Sequence, residues 1–331
     1  MNNPSISVVL CSYNGALYIK EQILSIVAQT MLPKELIIGD DGSTDDTLAI
    51  VENLRPKIEG AGIQLLIYQH NHLGPHGNFK ETLRKATCEL IAPCDQDDIW
   101  LPEKLEKCAA KMTWDIDVVY CDEFILHENG NISNHCINPP ESMADQLFGT
   151  HLAGHLLLLR REYVNVYDIA PEITFDYGIT IAASCCRKIA HVQEMLCIWR
   201  RHDAVVTISS SNHNIYKQIN KGKWEKWFGA IKAAMGGDFS IPVKKRYQSI
   251  LQITMHYAID NREKSLCKHI CKCMESQNTL SILLAGWYYM LLKKQSNEYM
   301  LLNLRDKIAY LIYNFTYPAG WWYEYRVHKS L

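Results

Sequence analysis

The sequence predicts an α/β protein with a mostly parallel sheet covered by helices and a helical C-terminal extension. Short β-branched apolar runs alternate with helix-periodic segments over the first 120 residues. These runs are continuous rather than alternating, as in strands buried on both faces. Beyond about residue 206 the strand pattern stops and the chain becomes helical, aromatic and basic.

Taken in order, Ser5 to Cys11 reads as the first strand, followed by a helix with Ile19, Ile23, Ile26 and Val27 on one face. Glu35 to Gly39 is the second strand. Ser43 or Thr44 is placed to cap the next helix, whose first turn holds Asp45 and Asp46. Ile63 to Tyr68 gives a third strand, Asn78 to Thr87 a helix, and Glu89 to Cys94 a fourth strand. An acidic loop, Asp95-Gln96-Asp97-Asp98, follows, and Pro102 suits the first residue of a helix. Asp117 to Cys121 is a fifth strand. Gly154 to Arg160 and Ile189 to Trp199 are further strands, and Asp176 stands ahead of an apolar helical run, Ile179 to Cys186.

Composition bounds the function. The 331 residues are 48% hydrophobic and 21% charged, as in an ordinary globular protein. The charge is uneven: residues 1–205 hold 16 Lys or Arg against 28 Asp or Glu, and residues 206–331 hold 18 against 8. Two units are therefore expected, 1–205 and 206–331, the first suited to a cation and the second to phosphates or an anionic membrane face. The twelve cysteines are scattered and the start of the chain carries no basic leader, which points to reduced thiols in a cytoplasmic protein. The longest apolar stretch, Leu280 to Leu292, has 13 residues including Ser281, short of the roughly 20 that a spanning helix needs. No recognisable nucleic-acid module accompanies the basic tail, so no nucleic-acid partner is expected. Gly-x-Gly-x-x-Gly is absent after the first strand, against an oxidoreductase.

In a strand–helix sheet, ligands bind beyond the carboxyl ends of the strands. Three polar stretches fall there: Cys11 to Asn14, Asp40 to Thr44 and Asp95 to Asp98. Asp95-x-Asp97 supplies carboxylates of the kind that hold Mg²⁺ or Mn²⁺ beside phosphates; the plain alternative is a solvated acidic loop. Asp41 could accept the imide N–H of a uracil or thymine ring, or simply cap a helix. Tyr13 could stack on that base or be structural.

Together these segments resemble the family 2 glycosyltransferases of the GT-A fold. The resemblance rests on Ile6-Ser7-Val8-Val9-Leu10-Cys11-Ser12-Tyr13-Asn14, on Ile38-Gly39-Asp40-Asp41-Gly42-Ser43-Thr44-Asp45, and on Asp95-Gln96-Asp97-Asp98-Ile99-Trp100-Leu101-Pro102. It implies an inverting transfer of a sugar from a nucleotide-diphosphate donor to a glycan hydroxyl. Tyr13 and Asp41 would bind the base, Asp95 the ribose or donor sugar, and Asp97 the metal. Asp176 would be the base that deprotonates the acceptor, with Glu172 its nearest competitor and a helix cap the bland reading. Trp199-Arg200-Arg201-His202 resembles the family's Tyr-Arg-x-His segment, so Arg201 would meet the diphosphate and His202 would be a further metal ligand; a surface cluster is the alternative. Gly154-His155 resembles a Gly-containing acceptor-side segment, and a buried histidine is the other reading.

The form Asp-Gln-Asp-Asp-Ile-Trp, with Asn71, Gly74, Asn78 and Phe79 upstream, looks most like the rhamnosyltransferase-type branch. That branch implies dTDP-L-rhamnose, with a UDP-hexose next, and bacterial surface polysaccharide as product. The other functions weighed are a sugar-nucleotide-forming nucleotidyltransferase and an inactive scaffold. In the tail, cations interleave with Trp224, Trp227, Trp287, Tyr288, Tyr289, Trp321 and Trp322. This suits either a packed helical subdomain or contact with the inner face of an anionic membrane carrying a lipid-linked acceptor. Cys267, His269, Cys271 and Cys273 are spaced too closely for an ordinary structural zinc site.

Overall fold

The computed structural model describes residues 4–137, 152–171, 173–202, 241–276 and 279–293. Its sheet is built from β1 (Ile6–Ser12), β2 (Glu35–Asp40), β3 (Gln64–Gln69), β4 (Leu90–Asp95), β5 (Ile99–Trp100), β6 (Val118–Leu126), β7 (Ile132–His135), β8 (Leu157–Arg160) and β9 (Ile189–Arg200). The strand order is β3-β2-β1-β4-β8-β6-β9-β5, with β7 paired to β6. The β3-β2-β1-β4 half is wholly parallel, as expected. Beyond β4 the sheet is mixed: β8 runs antiparallel to both β4 and β6, while β6 and β9 pair in parallel.

Helices α1 (Ile19–Val27), α2 (Thr47–Gly60), α3 (Gly74–Leu83), α4 (Lys104–Lys111), α5 (Val166–Ile169) and α6 (Phe175–Cys186) cover the sheet. Successive strand residues face opposite sides. Val8 and Leu10 of β1 therefore join Ile23, Val51 and Leu105 in one core, while Val9 and Cys11 join Phe79, Leu83 and Ile179 in the other. Burying strands on both faces explains why they read as continuous apolar runs.

Several boundaries differ from expectation for local reasons. Ser43 does not cap α2; its hydroxyl is turned to Asp40, and Asp45 instead accepts the Thr47 N–H at 3.0 Å. The helix expected from Asn78 begins at Gly74, where a left-handed φ of 74° and the following Pro75 start the turn. Pro102 stays outside α4 because its carbonyl accepts the Thr30 N–H at 2.8 Å, which holds a turn before Lys104. Residues Gly154–Leu156 form a 3₁₀ turn rather than the first part of β8. Asp176 lies inside the first turn of α6 instead of ahead of it.

The C-terminal extension is helical where described: α7 (Ile241–Tyr257), α8 (Asn261–Ser276) and α9 (Thr279–Lys293). Tyr247, Ile250 and Ile253 of α7 are buried in the same core as Ile179 and Ile181 of α6. Cys267 and Cys271 of α8 belong to this apolar core too, and His269 packs edge-on against Tyr288. Among the described residues no helix is long and apolar enough to cross a membrane. The expected 205/206 boundary, Glu172, Trp224, Trp227, Trp321 and Trp322 lie outside the described residues.

Gly154 is a point of close approach: a Cβ there would meet Phe175 Cζ at 2.3 Å. Phe175 is itself stacked on Phe79, with ring centroids 4.2 Å apart. Gly154→Ala is expected to cost about 1–3 kcal/mol in urea unfolding. Gly60→Ala, at a helix end with no atom within 4 Å of the added methyl, is expected to be neutral or slightly stabilising.

Candidate active site

Because β1 is central, its register fixes which loops meet. Ser12 lies beside Asp40 of β2, and Cys11 lies beside Asp95 of β4. The loops after these three strands therefore leave one edge of the sheet together. Side chains stitch the first two loops: Ser12 Oγ donates to Asp40 Oδ1 at 2.9 Å, the Asn14 N–H to Ser43 Oγ at 2.9 Å, and the Thr44 N–H to Asn14 Oδ1 at 2.9 Å. Asn14 holds a left-handed φ of 47° to do so, a conformation asparagine tolerates better than most residues.

Gln96, the middle residue of Asp95-x-Asp97, joins the third loop to the first. Its Oε1 accepts the Tyr13 N–H at 2.9 Å and its Nε2 donates to the Tyr13 carbonyl at 3.1 Å. Gly15 is needed for this clamp, since a Cβ there would lie 2.1 Å from Gln96 Oε1. Tyr13 is thus fixed by its backbone while its half-exposed ring faces out, edge-on to His72 with centroids 5.8 Å apart.

Asp41 is buried, and its two oxygens accept the Leu73 and Gly74 N–H groups at 2.7 Å each. It therefore caps α3, a helix distant in sequence, rather than the α2 helix that follows it. Asn78 of α3 completes this corner by donating to the Gly39 carbonyl at 2.8 Å.

Asp97 Oδ2 meets His202 Nε2 at 2.9 Å, so the acidic loop and the end of β9 come together. His202 stacks on Tyr18, 4.6 Å between centroids, and Arg200 Nε donates to the Asp97 carbonyl at 3.2 Å. Burial and the neighbouring Asp95 charge push the Asp97 carboxyl above its usual range, with His202 opposing. Arg201 lies over the Trp199 ring at 4.5 Å, and its buried Nη1 has no hydrogen-bond partner among the described residues.

Asp176 is half-buried in the first turn of α6, where its Oδ1 accepts the Tyr177 N–H at 2.8 Å. Its neighbour Phe175 touches His76 and Phe79 of α3 and the Gly154 turn. The N-terminus of α6 thus abuts the helix that Asp41 caps and the turn that carries His155.

Beneath the acidic loop lies a buried network. His155 Nε2 meets Glu123 Oε2 at 2.7 Å, and its Nδ1 lies 3.3 Å from Asp95 Oδ2 and 3.8 Å from Asp98 Oδ2. His135 Nδ1 meets the other oxygen of Glu123 at 2.7 Å. Burial pushes the Asp98 carboxyl up to about 8, with His155 opposing. Burial works against the His155 cation, but Asp98, Glu123 and Asp95 together raise its pKa well above the ordinary value.

The family model for glycosyl transferase family 2 matches residues 7–166, which include all three strand-end loops. An uncharacterized glycosyltransferase of Haemophilus influenzae is 37% identical over 241 residues, covering 68% of this chain and 73% of that protein. The chain belongs to glycosyl transferase family 2. The curled sheet with its covering helices is the GT-A fold. An uncharacterized glycosyltransferase of Nostoc is 31% identical over 214 residues, 60% of this chain and 65% of its own length, so the chain matches just under two thirds of that relative. A Campylobacter jejuni protein named GalNAc(5)-diNAcBac-PP-undecaprenol beta-1,3-glucosyltransferase is 29% identical over 130 residues, 39% of this chain and 41% of its own.

Within this family 2 chain, sequence reasoning brought out the rim residues but missed Gln96 and Glu123. The Gln96 clamp had one legible signal, the small Gly15 after Tyr13-Asn14. Glu123 had none, since the Asp122-Glu123 pair after the apolar run Val118 to Cys121 reads as the polar end of a strand. His155 is the buried histidine of its two readings.

The network predicts a pH response. Burial opposes ionisation of Glu123, yet His155 and His135 bring its carboxyl from an ordinary 4.5 down to about 2. A lowered carboxyl contributes stability that is fully present above pH 4.5 and is lost as pH falls toward 2. Glu123→Gln is therefore expected to be less stable at pH 7 but to lose less stability between pH 5 and 2 than the wild type, by denaturant unfolding across that range.

Proposed function

We propose that this chain is an inverting, metal-dependent glycosyltransferase that moves a sugar from a nucleoside-diphosphate donor to a glycan hydroxyl. The observation that carries the proposal is the Asp97 Oδ2–His202 Nε2 contact of 2.9 Å, on the edge where the loops after β1, β2 and β4 converge. One carboxylate and one imidazole fit Mn²⁺ or Mg²⁺ with phosphate oxygens completing the shell. Burial, and then the neighbouring Asp95, raise the Asp97 carboxyl, so a bound cation would favour its ionised form. When bound, such an ion offsets the charge that builds on the departing diphosphate.

The protein groups then have distinct tasks. Tyr13, fixed by Gln96, offers its ring to the nucleobase. Asp41 keeps lone pairs beyond those used by Leu73 and Gly74, and one can accept a pyrimidine imide N–H. Asp95 reaches the ribose or donor sugar. Arg201 brings a guanidinium N–H that has no partner among the described residues to a phosphate oxygen. Asp176 accepts the proton of the acceptor hydroxyl as it attacks the anomeric carbon, and a single direct displacement inverts that centre.

The proposed donor is dTDP-L-rhamnose, with a UDP-hexose as runner-up, and the proposed product a bacterial surface polysaccharide. Support for the branch is the resemblance of Asp95-Gln96-Asp97-Asp98-Ile99-Trp100, with Asn71, Gly74, Asn78 and Phe79 upstream. A lipid-linked acceptor is supported by the name of the Campylobacter relative. It would bring the protein to the inner face of the membrane, where the exposed Trp287 and Leu284 of α9 could meet the lipid headgroups.

The test is a donor screen with Mg²⁺ or Mn²⁺ that reads released dTDP, UDP or GDP, run beside Asp97→Asn and Asp176→Asn. Both variants are expected to fold normally and to lose about 10²–10⁴-fold in kcat. Wild-type rates in Asp97→Asn would reject the metal assignment; wild-type rates in Asp176→Asn would reject the base.

A further inference from the structure

We infer that Asp98, His155 and Cys197 form a structural zinc site buried under the acidic loop, separate from the Asp97–His202 pair. The inference does not depend on the donor chemistry proposed above. One ligand atom from each residue lies within 4.8 Å of the other two. The three come from different segments: the acidic loop, the 3₁₀ turn before β8, and β9.

Asp98 is the first reason. It is 1% exposed, and neither carboxylate oxygen has a hydrogen-bond partner among the described residues. A buried carboxylate without donors is strongly disfavoured unless a cation meets it. Its nearest cationic group, His155 Nδ1 at 3.8 Å, is beyond hydrogen-bond range. Lys104 is committed elsewhere: its Nζ donates to the His155 carbonyl at 2.6 Å and lies 3.6 Å from the centre of the Trp100 ring.

His155 is the second. Its Nε2 is taken by Glu123, whose other oxygen is held by His135, so Nδ1 is the nitrogen that faces Asp98. Metal-binding histidines characteristically give their second ring nitrogen to a carboxylate in this way. Zinc would take the place of a proton on Nδ1, releasing it on binding.

The donor set is the third. A thiolate beside nitrogen and oxygen ligands selects zinc over the harder Mg²⁺ or Mn²⁺. Bonds of about 2.0–2.3 Å in a tetrahedron place ligands about 3.3–3.6 Å apart. The Asp98–His155 edge, at 3.8 Å, is close to this already, and the fully buried Cys197 lies within 4.8 Å of both. Asp95 Oδ2 also lies 3.3 Å from the same Nδ1. Zinc here would pin the base of the loop that carries Asp97.

The experiment uses the whole chain, purified without chelator and dialysed, with zinc content measured directly and then replaced by Co²⁺ alone. About one zinc per chain is expected, and the cobalt form should show near-ultraviolet thiolate-to-cobalt charge-transfer absorption. Cys197→Ser should abolish that absorption and lower retained zinc at least about tenfold. Cys136→Ser, at an exposed cysteine, and Asp97→Asn should leave both intact. Asp98→Asn should keep the absorption at saturation but weaken cobalt binding about tenfold or more. A wild type that retains no zinc and gives no cobalt–thiolate absorption would overturn the site. So would absorption that persists in Cys197→Ser, or cobalt affinity unchanged in Asp98→Asn.

Discussion

Parallel pairing of β1 with β2 on one side and β4 on the other fixes the geometry on which everything else rests. Strands that run the same way must release their loops at the same edge, and in this chain each of those loops carries polar or acidic side chains. The register sets Ser12 beside Asp40 and Cys11 beside Asp95. Gln96, Asn14 and Ser43 then lock the three loops into one surface. Slipping one strand by a residue would exchange the side chains packed into the two cores and part the residues aligned at the rim.

Gathering carboxylates in this way concentrates negative charge in a partly buried place. The molecule answers it from two directions. From β9, His202 reaches Asp97 and Arg200 reaches the loop backbone. From below, His155 lies between Glu123 and the Asp95–Asp98 pair, with His135 behind. These histidines turn what would be simple repulsion into a fixed arrangement, yet Asp97 and Asp98 both remain above the usual carboxylate range, first because they are buried.

Much of this could be read from the sequence, and the reasons differ by element. The strands of the parallel half announced themselves as unbroken apolar runs, because both of their faces are covered. The rim aspartates were legible because each directly follows such a run. What escaped was whatever depended on pairing between distant segments. The antiparallel insertion of β8 between β4 and β6 has no local signature. Asp41 reads as a cap for the helix after it, whereas its oxygens serve Leu73 and Gly74, more than thirty residues on. Glu123 and His155 each look unremarkable alone and acquire meaning only when β6 and the Gly154 turn meet. The C-terminal helices were expected either as a packed subdomain or in contact with a membrane; Tyr247 and Ile250 share the core of α6, which no charge count reveals.

The most direct measurement is the anomalous scattering of manganese in crystals grown with Mn²⁺ and a pyrimidine nucleoside diphosphate. The account predicts one peak bridging Asp97, His202 and the diphosphate, with the base beside Tyr13 and Asp41. Nucleotide bound away from the ends of β1, β2 and β4, or manganese absent from the Asp97–His202 pair, would contradict it.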